Sequence, residues 1–310
     1  MHPVTSPASH AAATLTDTLT TPYAVTPEQI AFVRERGYVK LKEVLAPEVV
    51  DRFRREITSI VEAQNPLLNK PMAERTTYEK AFIQITNLWR RHEAVKALVF
   101  SERLARIAAD LMGVDGVRLY HDQALYKEPG GGFTPWHADQ YYWPLSNPNT
   151  CTVWIPLQAV PREMGPLAFS ERSHTFEIGR DLAISDESEA MIQQGLADQA
   201  FAYADEPFDL GDVSYHYGWT FHRAGPNTTD RVRAVMTMIY VEDGIRVTES
   251  LRAEHDFLIR QYFLNRQLAF PEGLGLIYIE RQVNHAGRTL PFVGIPCPSD
   301  QPRLMTSLEC

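Results

Sequence analysis

A break in pattern at Gly116 limits the folds open to this sequence more than anything else in it. Before it, apolar residues recur at helical spacing. After it, short runs of β-branched and aromatic residues at 117–127, 152–158, 208–217 and 232–241 are interrupted by Gly, Pro and Asn. Strands in that half do not alternate with helices, so a parallel α/β sheet is excluded. Helices gathered before a strand-rich unit predict a mainly β protein with flanking helices, a double-sheet jelly roll buttressed on one side.

The helical part can be read residue by residue. Thr26-Pro27-Glu28-Gln29 carries a capping residue, a proline suited to the first turn and a glutamine that can reach back, and Gly37 supplies a stop. Tyr38–Leu41 then alternates like a strand. From Pro47 onward Val49, Val50, Phe53, Ile57, Ile60 and Val61 fall on one helical face, and Leu104, Ile107, Ala108 and Leu111 do so between Glu102 and Met112, ahead of Gly113. Residues 1–25 read as a flexible tail and 26–310 as one domain, with a β core at about 116–245. A further helix is expected near 248–263, followed by a Pro-rich tail from Pro291. The acidic, glutamine-rich stretch 161–201 suits either a mobile lid or an exposed helical insertion.

Composition removes several function classes. A formal charge of −9 without any basic cluster argues against nucleic acid or an anionic membrane as partner. Cys151, Cys297 and Cys310 are far apart and have no C-x-x-C spacing, so neither a disulfide framework nor a thiolate metal site is expected, and a cytoplasmic setting is the default. The first 21 residues lack the apolar stretch of a secretory signal, and no run approaches the roughly 20 apolar residues that cross a bilayer.

Chemistry is densest at Phe133-Thr134-Pro135-Trp136-His137-Ala138-Asp139-Gln140, after the flexible-looking Gly130-Gly131-Gly132. In extended backbone, residues two apart share a face, so His137 and Asp139 can present an imidazole and a carboxylate to one point. A third ligand must come from elsewhere, and His216 and His222 both offer one. His222 is the better candidate, because a turn at 224–230 follows it and a strand resumes with Arg233. A hairpin centred near Asn227 and Thr228 would set Arg233 opposite His222. Two imidazoles and one carboxylate leave coordination positions open, the donor set of non-haem iron(II) oxygenases. Arg233 has the planar fork to hold the far carboxylate of 2-oxoglutarate.

The segment 134–144, Met164-Gly165-Pro166-Leu167 with Ser173-His174, and His222 followed by Gly225-Pro226-Asn227 and Arg233 together resemble the phytanoyl-CoA dioxygenase family, as does the capped helix and Gly-Tyr pair of 26–45. The resemblance runs over roughly 26–245. It implies a double-stranded β-helix, a cupin-like jelly roll, with iron(II) as metal, 2-oxoglutarate as cosubstrate and dioxygen as oxidant. Matched position by position, the metal ligands fall on His137, Asp139 and His222, and the carboxylate anchor on Arg233. Gln123 and Trp154 match positions near the cosubstrate. A serine frequent two residues after the distal histidine is Ala224 here, which removes one expected hydrogen bond. Related iron halogenases carry a small residue in place of the carboxylate, so Asp139 favours hydroxylation.

Tyr141, Tyr142 and Trp143 follow the H-x-D element and suit either a substrate pocket or aromatic packing. His216 reads as a structural or metal-supporting residue, and His121 and His174 as hydrogen-bonded core histidines. The expected activity is oxidation, most simply hydroxylation, of an unactivated C–H bond in a small metabolite or natural-product intermediate, with release of succinate and CO2. The rival readings are a cupin-like metal-dependent isomerase or hydrolase and a non-catalytic small-molecule-binding protein of the same fold.

Overall fold

The computed structural model describes residues 15–245 and the two-residue strand Phe292–Val293. The helix expected near 248–263, the Pro-rich tail from Pro291, and Cys297 and Cys310 lie outside the described residues.

In chain order the helices are α1 (Leu15–Thr20), α2 (Pro27–Arg36), α3 (Pro47–Gln64), α4 (Thr77–Ala81), α5 (Glu93–Val99), α6 (Glu102–Met112) and α7 (Asp186–Asp198). The strands are β1 (Tyr38–Leu41), β2 (Ile83–Thr86), β3 (Val117–Lys127), β4 (Thr134–His137), β5 (Thr150–Pro156), β6 (Leu167–Ser170), β7 (Tyr203–Asp205), β8 (Val213–Tyr217), β9 (His222–Ala224), β10 (Arg233–Glu242) and β11 (Phe292–Val293). The larger sheet runs β1-β8-β5-β10-β3-β11, with β2 also on β3, and the smaller runs β4-β9-β6-β7. Every described strand pair is antiparallel. This interleaving of chain order across two sheets is the double-stranded β-helix.

Helix starts follow the capping chemistry. Thr26 and Gln29 form the reciprocal capping box on α2, and Gly37 ends that helix at φ +85°. A Cβ on Gly37 would lie 2.6 Å from the hydroxyl of Thr220. The bare backbone lets Thr220 Oγ1 donate to Gly37 O at 2.7 Å, which anchors the turn that leads into β9. The predicted apolar faces of α3 and α6 are buried and cover the outer face of the larger sheet, where they meet Val153, Ile155, Tyr215, Met236 and Met238.

Four differences from the sequence reading have local causes. The strands predicted at 152–158 and 232–241 are shifted slightly, to Thr150–Pro156 and Arg233–Glu242. The run at 208–217 is a strand only from Val213, and Phe208 makes an isolated bridge to Val160. The short α4 and α5 were not anticipated, since five and seven residues are too few for a periodic signal. The hairpin that would place Arg233 opposite His222 does not form. Strand β9 pairs with β4 and β6, while β10 pairs with β3 and β5, so residues 225–232 cross from one sheet to the other.

The glycine loop at 130–132 is held by hydrogen bonds rather than loose. Gly130 N donates to Asn227 O, Asn227 N to Gly131 O and Gly132 N to Lys80 O. The 161–201 stretch contributes β6 to the smaller sheet, and α7 buries Ile192 and Leu196 against it. No helix among the described residues is long and apolar enough to cross a membrane.

Candidate metal centre

Strands β4 and β9 lie side by side with His137 directly opposite His222, and the two rings are 4.1 Å apart between centroids. Ala138 is extended, at φ −119° and ψ 126°, so Asp139 points to the same side as His137 even though a 3-10 turn begins with it. One ligand atom from each of His137, Asp139 and His222 lies within 4.8 Å of the others. Asp139 Oδ1 is 3.7 Å from both His137 Nε2 and His222 Nε2. These three side chains can hold a metal ion.

Hydrogen bonds behind the rings settle which nitrogens face inward. His137 Nδ1 lies 2.8 Å from Pro135 O and His222 Nδ1 lies 2.9 Å from Thr220 O. A carbonyl can only accept, so both Nδ1 atoms carry the proton and both Nε2 lone pairs are free to coordinate. Burial lowers both imidazoles to about 4, which keeps them neutral near pH 7. Burial works against the charge on Asp139, but His222, His216 and His137 outweigh it and hold the carboxyl well below the usual range. Neutral imidazoles beside an ionised carboxylate form the state that binds a divalent cation.

His216 plays a different part from His222. Its Nε2 lies 3.3 Å from Asp139 Oδ2, and Thr152 Oγ1 donates to the same oxygen at 2.9 Å. A ring that donates Nε2–H to a carboxylate has no Nε2 lone pair for a metal. His216 and Thr152 sit opposite each other on β8 and β5 and fix Asp139 Oδ2, leaving Oδ1 toward the imidazoles. Thr152 was not singled out from sequence. Only its alternation with Trp154 on β5 hinted at an inward position.

Arg233 is 2% exposed, donates through Nη1 to Gly165 O, and has its Nε buried without a partner. Among the described residues no carboxylate forms a salt bridge with it. Burial lowers it to about 9. Directly opposite on β3 stands Lys127, wholly buried, with Nζ donating to Gly132 O. Burial first, then Arg233 and Arg223, lowers that amine to about 6. The sequence reading passed over Lys127, although its alternation with His121 and Gln123 signalled the inward face. Trp154 places its ring 5.6 Å from the Arg233 guanidinium and packs on Phe208. Gln123, opposite Thr237, accepts a hydrogen bond at 2.5 Å from Gln84 on β2.

The aromatic triplet after Asp139 divides. Trp143 packs with Leu145, Ile239 and Val241, and Tyr141 is buried against Tyr142. Tyr142 Oη accepts the Ile184 N–H at 2.8 Å just before α7. Tyr78 on α4 is 38% exposed, yet its hydroxyl donates to Gln84 at 2.8 Å, and burial, with Tyr142 and Asp139, pushes its pKa up. His121 differs from expectation, since its Nδ1 is buried without a partner, whereas His174 reaches Arg34 O at 3.1 Å.

Comparison with known proteins gives this geometry a context. The phytanoyl-CoA dioxygenase (PhyH) family pattern matches residues 33–235. A probable alpha-ketoglutarate-dependent hypophosphite dioxygenase of Stutzerimonas stutzeri is 24% identical over 205 residues, 62% of this chain and 70% of that one. The crystal structure of SnoK, a non-heme alpha ketoglutarate dependent carbocyclase from nogalamycin biosynthesis, superposes with a TM-score of 0.63 at 26% identity, covering 76% of this chain and 93% of that one. The epimerase SnoN, in complex with Fe3+, alpha ketoglutarate and nogalamycin RO, gives 0.62 at 23% identity, over 74% and 88%. EctD from S. alaskensis, with 2-oxoglutarate and 5-hydroxyectoine, gives 0.58 at 18% identity, over 74% and 83%.

Proposed function

The chain belongs to the phytanoyl-CoA dioxygenase family, and from that premise we propose that it is an iron(II)- and 2-oxoglutarate-dependent dioxygenase that hydroxylates an unactivated C–H bond of a small metabolite or natural-product intermediate. The observation that carries this reading is the convergence of three ligand atoms within 4.8 Å, with both imidazole Nε2 lone pairs turned inward by the carbonyls behind them. The donor set suits ferrous iron, since two nitrogens and one oxygen leave positions for further ligands. The unpartnered Arg233 Nε suits an incoming anion.

In this reading His137, Asp139 and His222 hold the metal, and Arg233 receives the far carboxylate of the keto acid with Trp154 beside it. Gln123 lies on the same inner face. Bound together, iron(II), 2-oxoglutarate and dioxygen supply an oxidant strong enough to break a C–H bond while the keto acid becomes succinate and CO2. The protein orients and shields. Thr152 and His216 keep Asp139 Oδ2 occupied, so that Oδ1 faces the metal. Because a carboxylate fills this position, a halide has no vacant place there, and hydroxyl return is favoured over halogenation.

The reading is tested by succinate release from purified protein with iron(II), ascorbate and 2-oxoglutarate under air. Turnover should vanish in His137→Ala, Asp139→Ala and His222→Ala, and full activity in any of them refutes the ligand set. Product mass then separates outcomes: one added oxygen means hydroxylation, loss of two hydrogens means ring closure or desaturation, and an isomer means epimerisation. Activity in zinc-loaded protein without succinate would instead make the metal a Lewis acid for a hydrolase or isomerase.

A further inference from the structure

We propose that Glu189, on α7, is a positioning residue for the metal centre, its carboxylate tying together from outside the two strands that carry the histidines. The inference rests on the metal-binding reading above. Strand β4 is the edge of the smaller sheet and is registered with β9 at only two described positions, Thr134 with Ala224 and His137 with His222, with an irregularity between them. Such an edge is weakly held, and its outward amides have no strand partner. Glu189 supplies one. Its Oε2 accepts the N–H of Trp136, the residue before His137. Its Oε1 lies 3.2 Å from Arg223 Nη1, the residue after His222. The carboxylate is 12% exposed, and the arginine it pairs with also covers the Trp136 ring at 5.4 Å.

The clamp bears on the site because side chains alternate along a strand. Trp136 and Arg223 face α7, so His137 and His222 face the interior, and a shift of either strand displaces an imidazole from Asp139. Trp136, Ile192 and Leu196 pack in one apolar cluster, so α7 is seated independently of the ion pair and can act as a fixed brace. Glu189 thereby sets the spacing of two ligands it does not touch.

Mn(II) titration of the metal-free full-length protein tests this, read by electron paramagnetic resonance of the free ion, with melting temperature followed in parallel. Groups that orient ligands change metal affinity by about 10- to 100-fold when removed, so Glu189→Ala should weaken Mn(II) binding by about 10-fold or more. Glu189→Gln keeps an acceptor for the Trp136 amide and should recover most of that loss. Wild-type affinity in Glu189→Ala overturns the proposal, whatever happens to its melting temperature. If Glu189→Ala does not fold, Arg223→Gln takes its place: weaker Mn(II) binding supports the clamp, and unchanged binding overturns it. His222→Ala separates the two levels. Should wild type itself bind no Mn(II), the metal reading fails; should wild type bind and His222→Ala not, a null result at Glu189 counts against the clamp alone.

Discussion

Replacing Arg233 by methionine is expected to strengthen the empty fold while destroying its affinity for 2-oxoglutarate. Burial takes the guanidinium down from the usual arginine range to about 9. Since pH 7 lies below both values, the group is charged in folded and unfolded chains alike. The full difference, roughly 5 kcal/mol at about 1.4 kcal/mol per tenfold in proton affinity, therefore counts against folding, and it fades only as pH climbs above 9. Methionine removes that term and also the donation to Gly165 O, a loss of about 1–2 kcal/mol. The net gain is about 3 kcal/mol, an upper figure because the substitution also leaves some volume unfilled. Against this, a forked pair with a carboxylate is worth two charge-assisted hydrogen bonds, together about 3–6 kcal/mol, so affinity for 2-oxoglutarate should fall by roughly 10²- to 10⁴-fold. Urea unfolding of the ligand-free variant and calorimetric titration of its Mn(II)-loaded form with 2-oxoglutarate measure the two arms. An arginine that merely braces the structure predicts the reverse, a variant several kcal/mol weaker that still binds the keto acid within a few-fold of wild type, and that result would refute the reasoning.

Lys127→Met should give a stability advantage that depends on pH. The folded amine titrates near 6 and the unfolded one near 10.5, so the wild-type penalty is complete below pH 6 and shrinks as pH rises toward 10. Urea midpoints of the pair should converge over that window, and a constant gap would show that the amine does not carry the effect. His216→Ala leaves Asp139 Oδ2 with Thr152 alone. Loss of such an orienting donor should weaken Mn(II) binding by about 10-fold, and an unaltered titration would reduce His216 to a packing residue.

What could be read from the sequence was what depends on short-range pattern. The α2 cap, the α3 and α6 faces and the bounds of β3 all follow from residues within a turn or a strand of one another. His137 and Asp139 were visible as a pair for the same reason, because only the extended backbone at Ala138 lies between them. Relations across the sheets were not visible. That β9 and β10 belong to different sheets cannot be read from the turn joining them, so the expected hairpin was wrong while the inward aim of Arg233 held. Glu189, Gln84 and Thr152 reach the site from α7, β2 and β5, and in sequence they look like an ordinary surface helix residue and two strand residues.

The surroundings of the metal ligands and of Arg233 differ in electrical character, and this links cosubstrate to fold. In the first a single carboxylate lies among neutral imidazoles; in the second, Arg233 and Lys127 face each other in register on β10 and β3 without a described counter-charge. A buried guanidinium beside an amine that burial and this charge hold largely neutral above pH 6 opposes folding. A protein has little reason to keep such a pair merely for packing, since two apolar residues would serve better there. The pair makes sense if a dianion completes it. Placing a carboxylate between them would draw Lys127 back toward its protonated state, so binding of the keto acid should take up protons above pH 6. On this view Arg233 and Lys127 are a preorganised receptor whose cost to the unliganded fold is the counterpart of its affinity when filled.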